Sequence, residues 1–199
     1  MKTRCFLPLA QRGFTLIELL VTLAIAVVLA MVAVPSFEAF RRNAQLTSAS
    51  NSLMAGLNAA RSEAMKKGTN AMLSPVDPTG SWNAGWIVFS FGAGNTTQVF
   101  NSATDNVVLR QDALPAYMTV NGTGSAFGGA PYVMFDASGY SKLKNGGFGA
   151  VTLNMTRSDL TGAALLEQTR RVKIASVGRV RICRPKTATD IDCSATLSD

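Results

Sequence analysis

Two arginines, Arg179 and Arg181, alternate with Val180 and Ile182. In a strand this spacing puts both guanidinium groups on one face about 7 Å apart and turns the apolar pair to the core. Guanidinium groups hold phosphate in a bidentate grip, so the chemistry on offer is recognition of a phosphate backbone. The neighbours share the charge: Arg170, Arg171, Lys173, Arg179, Arg181, Arg184 and Lys186 fall in one stretch with no acid. Residues 68–169 hold four basic and six acidic residues, and residues 187–199 hold three acids and no base. Basicity is confined to one segment. Gly178 lets the chain turn just ahead of the arginines. The same pattern also fits the solvated outer face of an edge strand, where Lys and Arg discourage edge pairing.

A second position with chemistry is Glu18. It is the one charge in a run of twenty-four residues from Phe14 to Phe37. A helix of that length reaches roughly 36 Å, enough to cross the hydrocarbon core of a bilayer. A carboxylate inside such a span costs about 2.5–3.5 kcal/mol at its centre, so it is normally functional and partnered. Lys2, Arg4 and Arg12 precede the run without an acid among them. The positive-inside rule therefore puts the N-terminus in the cytoplasm and the bulk of the chain across the membrane, in a periplasmic or extracellular space. The run is longer than the 7–15 apolar residues of an ordinary secretory signal.

Other chemistries have little to work with. The chain of 199 residues contains no His. That closes the Ser-His-Asp and Cys-His routes and the commonest metal ligand, so no catalytic residues, no metal site and no cofactor are expected. Of three cysteines, Cys183 and Cys193 lie ten positions apart on the far side of the membrane. An even pair in an oxidising compartment reads as a disulfide, worth about 3 kcal/mol by loop-closure entropy, against a reading of two unpaired thiols. The glycine clusters at 124–129 and 146–149 do not form a phosphate-loop pattern. Trp82 and Trp86 read as core aromatics beside turns.

The elements that must position these residues follow from periodicity. Leu46, Ser50, Leu53, Leu57, Ala60 and Ala64 recur at helical spacing and form one seam. Lys66-Lys67-Gly68 is a helix stop, with cations at the negative end of the dipole and a glycine beyond. One helix is expected over 14–67, roughly 80 Å long, with its membrane-spanning part at about 14–37. Residues 68–199 are expected to form a β-rich head. Strands are expected at 70–73, 86–91, 97–100, 106–110, 118–120, 132–135, 150–154, 170–175 and 179–183, between turns rich in Gly, Pro, Asn and Asp. The fold class is α+β, an antiparallel sheet laid on a long helix.

The stretch Arg12-Gly13-Phe14-Thr15-Leu16-Ile17-Glu18-Leu19-Leu20 resembles the processing site of type IV prepilins and pseudopilins. The resemblance implies that residues 1–13, Cys5 included, are a leader removed by prepilin peptidase between Gly13 and Phe14. It also implies methylation of the new Phe14 amine and pairing of Glu18 with the Phe14 amine of a neighbouring subunit. Two opposite charges in low dielectric attract strongly, which suits a register device. Pro35 falls where such helices commonly kink. Removing the leader leaves 16 basic and 12 acidic residues, a net charge of 16 − 12 = +4 against +7 for the whole chain.

Within the head, Trp82-Asn-Ala-Gly85-Trp86-Ile-Val-Phe89, Phe135-Asp-Ala-Ser-Gly139 and Arg171 through Cys183 resemble minor pilins and pseudopilins of the GspH/FimT/FimU type. Gly178-Arg179-Val180-Arg181 resembles the C-terminal element through which FimT-like minor pilins bind DNA during natural transformation. The resemblance implies a minor type IV pilus subunit with other major and minor pilins as partners. It further implies double-stranded DNA as a partner of Gly178, Arg179 and Arg181, and the charge of the segment adds Lys173, Arg184 and Lys186 as expected DNA contacts. Roughly three to five phosphate contacts are expected, with Lys142, outside the segment, as a control charge. The alternatives are a minor pseudopilin of a type II secretion system and a pilus-priming subunit without DNA binding.

Overall fold

The computed structural model describes residues 13–77 and 79–195. Residues 1–12, with Cys5 and most of the expected leader, lie outside that range. Helix α1 runs from Leu16 to Lys67 and contains Pro35. The chain divides into two compact units, residues 1–42 and residues 43–199, so α1 begins in the first and ends in the second.

In the first unit the helix is apolar on every side. Its large side chains from Leu16 to Phe37 are all exposed, which suits lipid rather than a protein core. One helix among the described residues is long and apolar enough to cross a membrane. Just past the apolar run, Glu38 accepts hydrogen bonds from Arg41 and Arg42, each at 2.9 Å.

In the second unit α1 buries the six seam residues named above, with Gly56 added. Gly56 explains how close the sheet comes: a Cβ there would lie 3.1 Å from the Leu73 side chain and 3.3 Å from the Trp86 indole nitrogen. The strands are β1 (Ala71–Pro75), β2 (Trp86–Ser90), β3 (Asn106–Gln111), β4 (Met118–Gly122), β5 (Val133–Phe135), β6 (Ser141–Lys142), β7 (Val151–Arg157), β8 (Arg170–Ile174) and β9 (Val180–Cys183). A short helix α2 (Gly162–Glu167), absent from the sequence expectation, joins β7 to β8. The strand pairings among the described residues are antiparallel, in two sheets ordered β3-β2-β1-β5-β6 and β4-β7-β8-β9.

Both sheets turn one face to a common core with the α1 seam. Leu73, Val88 and Phe135 come from the first sheet, and Leu153, Met155 and Val172 from the second. Trp82 and Trp86 are buried in this core, and the Trp82 indole N–H donates to the Ala126 carbonyl at 2.9 Å.

The expected strand at 97–100 is not formed. Gln98 adopts φ +51°, which no strand tolerates. The loop there is organised by Asp105, whose carboxylate accepts N–H groups from Gly92, Asn101 and the Asn95 amide. Phe100 folds inward to meet Phe89 edge-on at 5.0 Å. Apolar residues that pack inward from a loop mimic a short strand in sequence.

Candidate nucleic-acid interface on the β8–β9 hairpin

The hairpin that carries the two arginines is a three-residue turn. The Ala175 N–H donates to Arg179 at 3.0 Å, and the Gly178 N–H donates to Ala175 at 2.8 Å. Gly178 sits at φ +80°, the left-handed position that such a turn gives to glycine. A second constraint acts on it: a Cβ would lie 1.8 Å from the Gly139 carbonyl oxygen. That oxygen accepts the Arg61 Nε–H from α1 at 2.9 Å. Gly178 therefore serves the backbone and has no side chain to offer a ligand.

Beyond the turn, β9 is the edge strand of the second sheet. Val180 and Ile182 pack against the core, and Arg179 and Arg181 are exposed, as the alternation requires. The Arg181 guanidinium donates to the Asp192 carbonyl at 2.8 Å, which holds it against the loop that follows β9. Cys183 and Cys193 are joined in a disulfide with Cα atoms 5.8 Å apart, and this fastens the loop to the strand.

The remaining basic residues separate. In the β8–β9 register Lys173 faces Arg181 and Arg171 faces Cys183, so all four share one sheet face. Yet Lys173 is only 4% exposed and Arg171 only 9%. The loop after β9 returns over this face, where Arg171 donates to the Cys193 carbonyl. Burial pulls the Arg171 guanidinium below its usual pKa, partly offset by the nearby Asp190 carboxylate. Lys173 is thus removed from the set of phosphate-contacting residues: a buried ammonium cannot reach a strand of DNA.

Arg184 follows the strand at the opposite end from Arg179. It lies close enough to Arg170 to lower that guanidinium's pKa, after the larger effect of burial. Arg170 itself is turned to α1, donating to Asn43 at 3.1 Å. Lys186 is exposed within the disulfide loop. Its backbone N–H is held by Asp190 at 2.8 Å. That N–H and the Cys193 N–H hold the Asp190 carboxyl below the usual aspartate range. The outer face thus carries Arg179 and Arg181 together. Arg184, beside the α1-facing Arg170, lies toward the other face and is removed from their set, and Lys186 sits further along in the loop.

Lys142 proves to be a neighbour of this face. The Ser141 N–H donates to the Ser176 carbonyl at 3.0 Å, which ties β6 to the hairpin. Arg110, exposed on β3 at the opposite edge of the first sheet, is the better control charge.

At the N-terminus the structure adds a role for Glu18 that its lone charge did not reveal. Thr15 precedes α1, and the Glu18 carboxylate accepts the Thr15 N–H at 3.0 Å and its hydroxyl at 2.9 Å. The Glu18 N–H donates back to the Thr15 hydroxyl oxygen at 3.3 Å. This is a capping box, Thr-x-x-Glu, and its sequence signature is present in Thr15-Leu16-Ile17-Glu18. Gly13 and Phe14 lie just ahead of it, both exposed.

Known proteins share these features. The family described as Type II transport protein GspH matches residues 49–178, and the Prokaryotic N-terminal methylation motif matches residues 9–34. The Type IV major alpha-pilin of Moraxella bovis is 38% identical over 76 residues, which is 38% of this chain. The chain spans about half, 47%, of that relative's length. Among solved structures, the type IV minor pilin FimU of Pseudomonas aeruginosa is similar at a TM-score of 0.52 and 20% identity, over 72% of this chain and 92% of FimU. The minor pseudopilin EpsH from the Type 2 Secretion System of Vibrio cholerae is similar at a TM-score of 0.51 and 15% identity, over 72% of this chain and 99% of EpsH. At these identities the two structures speak for the fold: a long helix on antiparallel sheets. Because the GspH match reaches across more than half of the sequence, behind an N-terminal methylation motif, the chain belongs to the GspH family of type IV pilin-like proteins.

Proposed function

We propose that the protein is a minor type IV pilin, a structural subunit anchored in the inner membrane by α1 and then built into a fibre with other pilins. Prepilin peptidase removes the leader after Gly13, and the fibre carries the head to the cell surface. On the head, Arg179 and Arg181 bind double-stranded DNA through its phosphates, with little sequence preference, and so serve DNA uptake in natural transformation. The observation that carries the DNA reading is the pair of exposed guanidinium groups on one face of an edge strand, with Val180 and Ile182 anchoring it from the other side. The resemblance of Gly178 to Arg181 to the FimT-like element supports it. A minor pseudopilin of a type II secretion system is the second reading, favoured by the likeness to EpsH.

With Lys173 buried, about two to three phosphates are within reach, fewer than the sequence suggested. Counterion release then gives a slope of log K against log salt of about −2 to −3. The test is fluorescence anisotropy of a labelled duplex with the full chain in uncharged detergent micelles. Arg179→Ala or Arg181→Ala is expected to weaken binding to all duplexes alike and to make the slope shallower by about 1. Arg110→Ala is expected to leave it unchanged. Equal binding by wild type and the double arginine variant at about 50 and 150 mM salt contradicts the DNA reading.

A further inference from the structure

The Gly178 turn has a structural twin. In the β5–β6 connection the Asp136 N–H donates to Tyr140 at 3.0 Å, and the Gly139 N–H donates to Asp136 at 2.9 Å, with Gly139 at φ +79°. This repeats the Ala175–Arg179 pattern residue for residue. The two turns are packed glycine to glycine and share Arg61, which bonds the Gly139 carbonyl and lies 3.1 Å from the Cβ position of Gly178. Each glycine is followed directly by an exposed side chain: Arg179 after one, Tyr140 after the other.

Tyr140 is 41% exposed and Phe148 beside it is 59% exposed. Their rings meet edge to face with centroids 5.6 Å apart. The Lys142 ammonium lies 3.6 Å from the Phe148 centroid, kept there by Asp136 at 3.8 Å and the Gly146 carbonyl at 3.4 Å. Asp136 also accepts the backbone N–H groups of Ser138 and Tyr140, at 2.9 and 3.0 Å. The aromatic pair is therefore held in a fixed arrangement by one carboxylate and a turn. Neither ring belongs to the hydrophobic core shared by α1 and the two sheets.

We infer that Tyr140 and Phe148 form a stacking platform for the bases of single-stranded DNA, beside the phosphate-binding Arg179. The inference rests on the DNA reading of the β8–β9 hairpin and extends it to a second substrate form. An aromatic face next to cations is the arrangement that unpaired nucleic acid recognises, because every base has a π-face and every linkage a charge. Arg179 on the neighbouring turn supplies the cation for the phosphate, while Lys142, engaged by Asp136, backs one face of the Phe148 ring and leaves Tyr140 and the other Phe148 face to the bases. In a duplex the bases are stacked on one another and cannot reach the rings, so duplex binding uses the arginines alone. Frayed ends and single strands use both. Charge complementarity selects nucleic acid over an apolar protein segment as the occupant.

The experiment compares an oligothymidylate of about 12 nucleotides with a duplex of the same length, again by anisotropy on the full chain in uncharged micelles. Tyr140→Ala and Phe148→Ala are each expected to weaken single-strand binding by about 5- to 100-fold and to leave duplex binding within twofold. Tyr140→Phe, which keeps the ring, is expected to retain single-strand binding. Retained duplex binding also reports that the variants are folded. If the alanine variants bind single strands as wild type does, while Arg179→Ala still weakens duplex binding, the platform is overturned and the arginine reading stands. An equal loss on both probes overturns the platform too, since stacking predicts a selective loss. If wild type binds neither probe, the DNA reading fails and the platform with it.

Discussion

Glu18 closes the capping box of α1 through its carboxylate, and a glutamine amide oxygen can accept the same hydrogen bonds. Pairing with the Phe14 amine of a neighbouring subunit needs the charge, which glutamine lacks. Glu18→Gln is therefore expected to insert and keep the helix start, yet to enter fibres at least about tenfold less, because an amine left unpaired in low dielectric costs about 3–5 kcal/mol. Glu18→Ala loses the cap as well, worth about 1 kcal/mol. Immunoblots of sheared fibres against membrane fractions measure both. Wild-type incorporation of the glutamine variant would leave Glu18 with capping alone. Gly178 is the other residue whose role is legible in one change. Gly178→Ala must hold φ +80° and clear the Gly139 carbonyl, so a loss of about 2 kcal/mol or more is expected in urea unfolding of the full chain in micelles. A variant as stable as wild type would mean that the two turns separate easily.

Among the elements, the loop after β9 decides which of the basic residues face solvent. It is held by the disulfide, by Arg171 and Arg181 on its carbonyls, and by Asp190 on two of its N–H groups. Asp190 is depressed below its ordinary pKa of 3.8, so its contribution is present above that value and is lost as pH falls through the lower folded-state value. With the disulfide reduced, acid below about pH 4 is expected to release the loop and expose Lys173, whereas neutral pH keeps it closed. Amide signals of Lys186 and Cys193 in NMR spectra follow the change. Asp190→Asn is expected to abolish its pH dependence, and an unchanged titration in that variant would assign the effect elsewhere.

This loop also marks the limit of what the sequence revealed. The α1 seam and the Arg179/Arg181 alternation were legible because each follows a single period, 3.6 or 2. The burial of Lys173 was not, since the loop that returns over its sheet face has no period and pairs with nothing in a ladder. The Phe100 region misled for a related reason: the left-handed Gln98 and the Asp105 hub break a strand whose side chains still alternate. The contact between the Gly139 and Gly178 turns joins segments far apart in the chain, and no local pattern announces it. Each turn was visible as a turn; their adjacency was not.

For the molecule as a whole, the proposed pilin role requires two environments for one helix: lipid around the apolar residues up to Phe37, and a protein core around the seam from Leu46 to Ala64. The exposed apolar side chains of the first unit and the buried small residues of the second meet that requirement. It also requires that the leader be removed, which takes the net charge from +7 to +4 and creates the amine that Glu18 is proposed to meet. Gly13→Val is expected to block that step and leave full-length protein in the membrane. Intact-mass and N-terminal peptide spectrometry of the wild-type subunit, recovered from fibres sheared off the cell surface, is the most direct measurement. The expected result is a chain of residues 14–199 that begins with N-methylated Phe14. A chain that begins at Met1, a cut near Ala33, or absence of the protein from the fibres would contradict the assignment to the fibre.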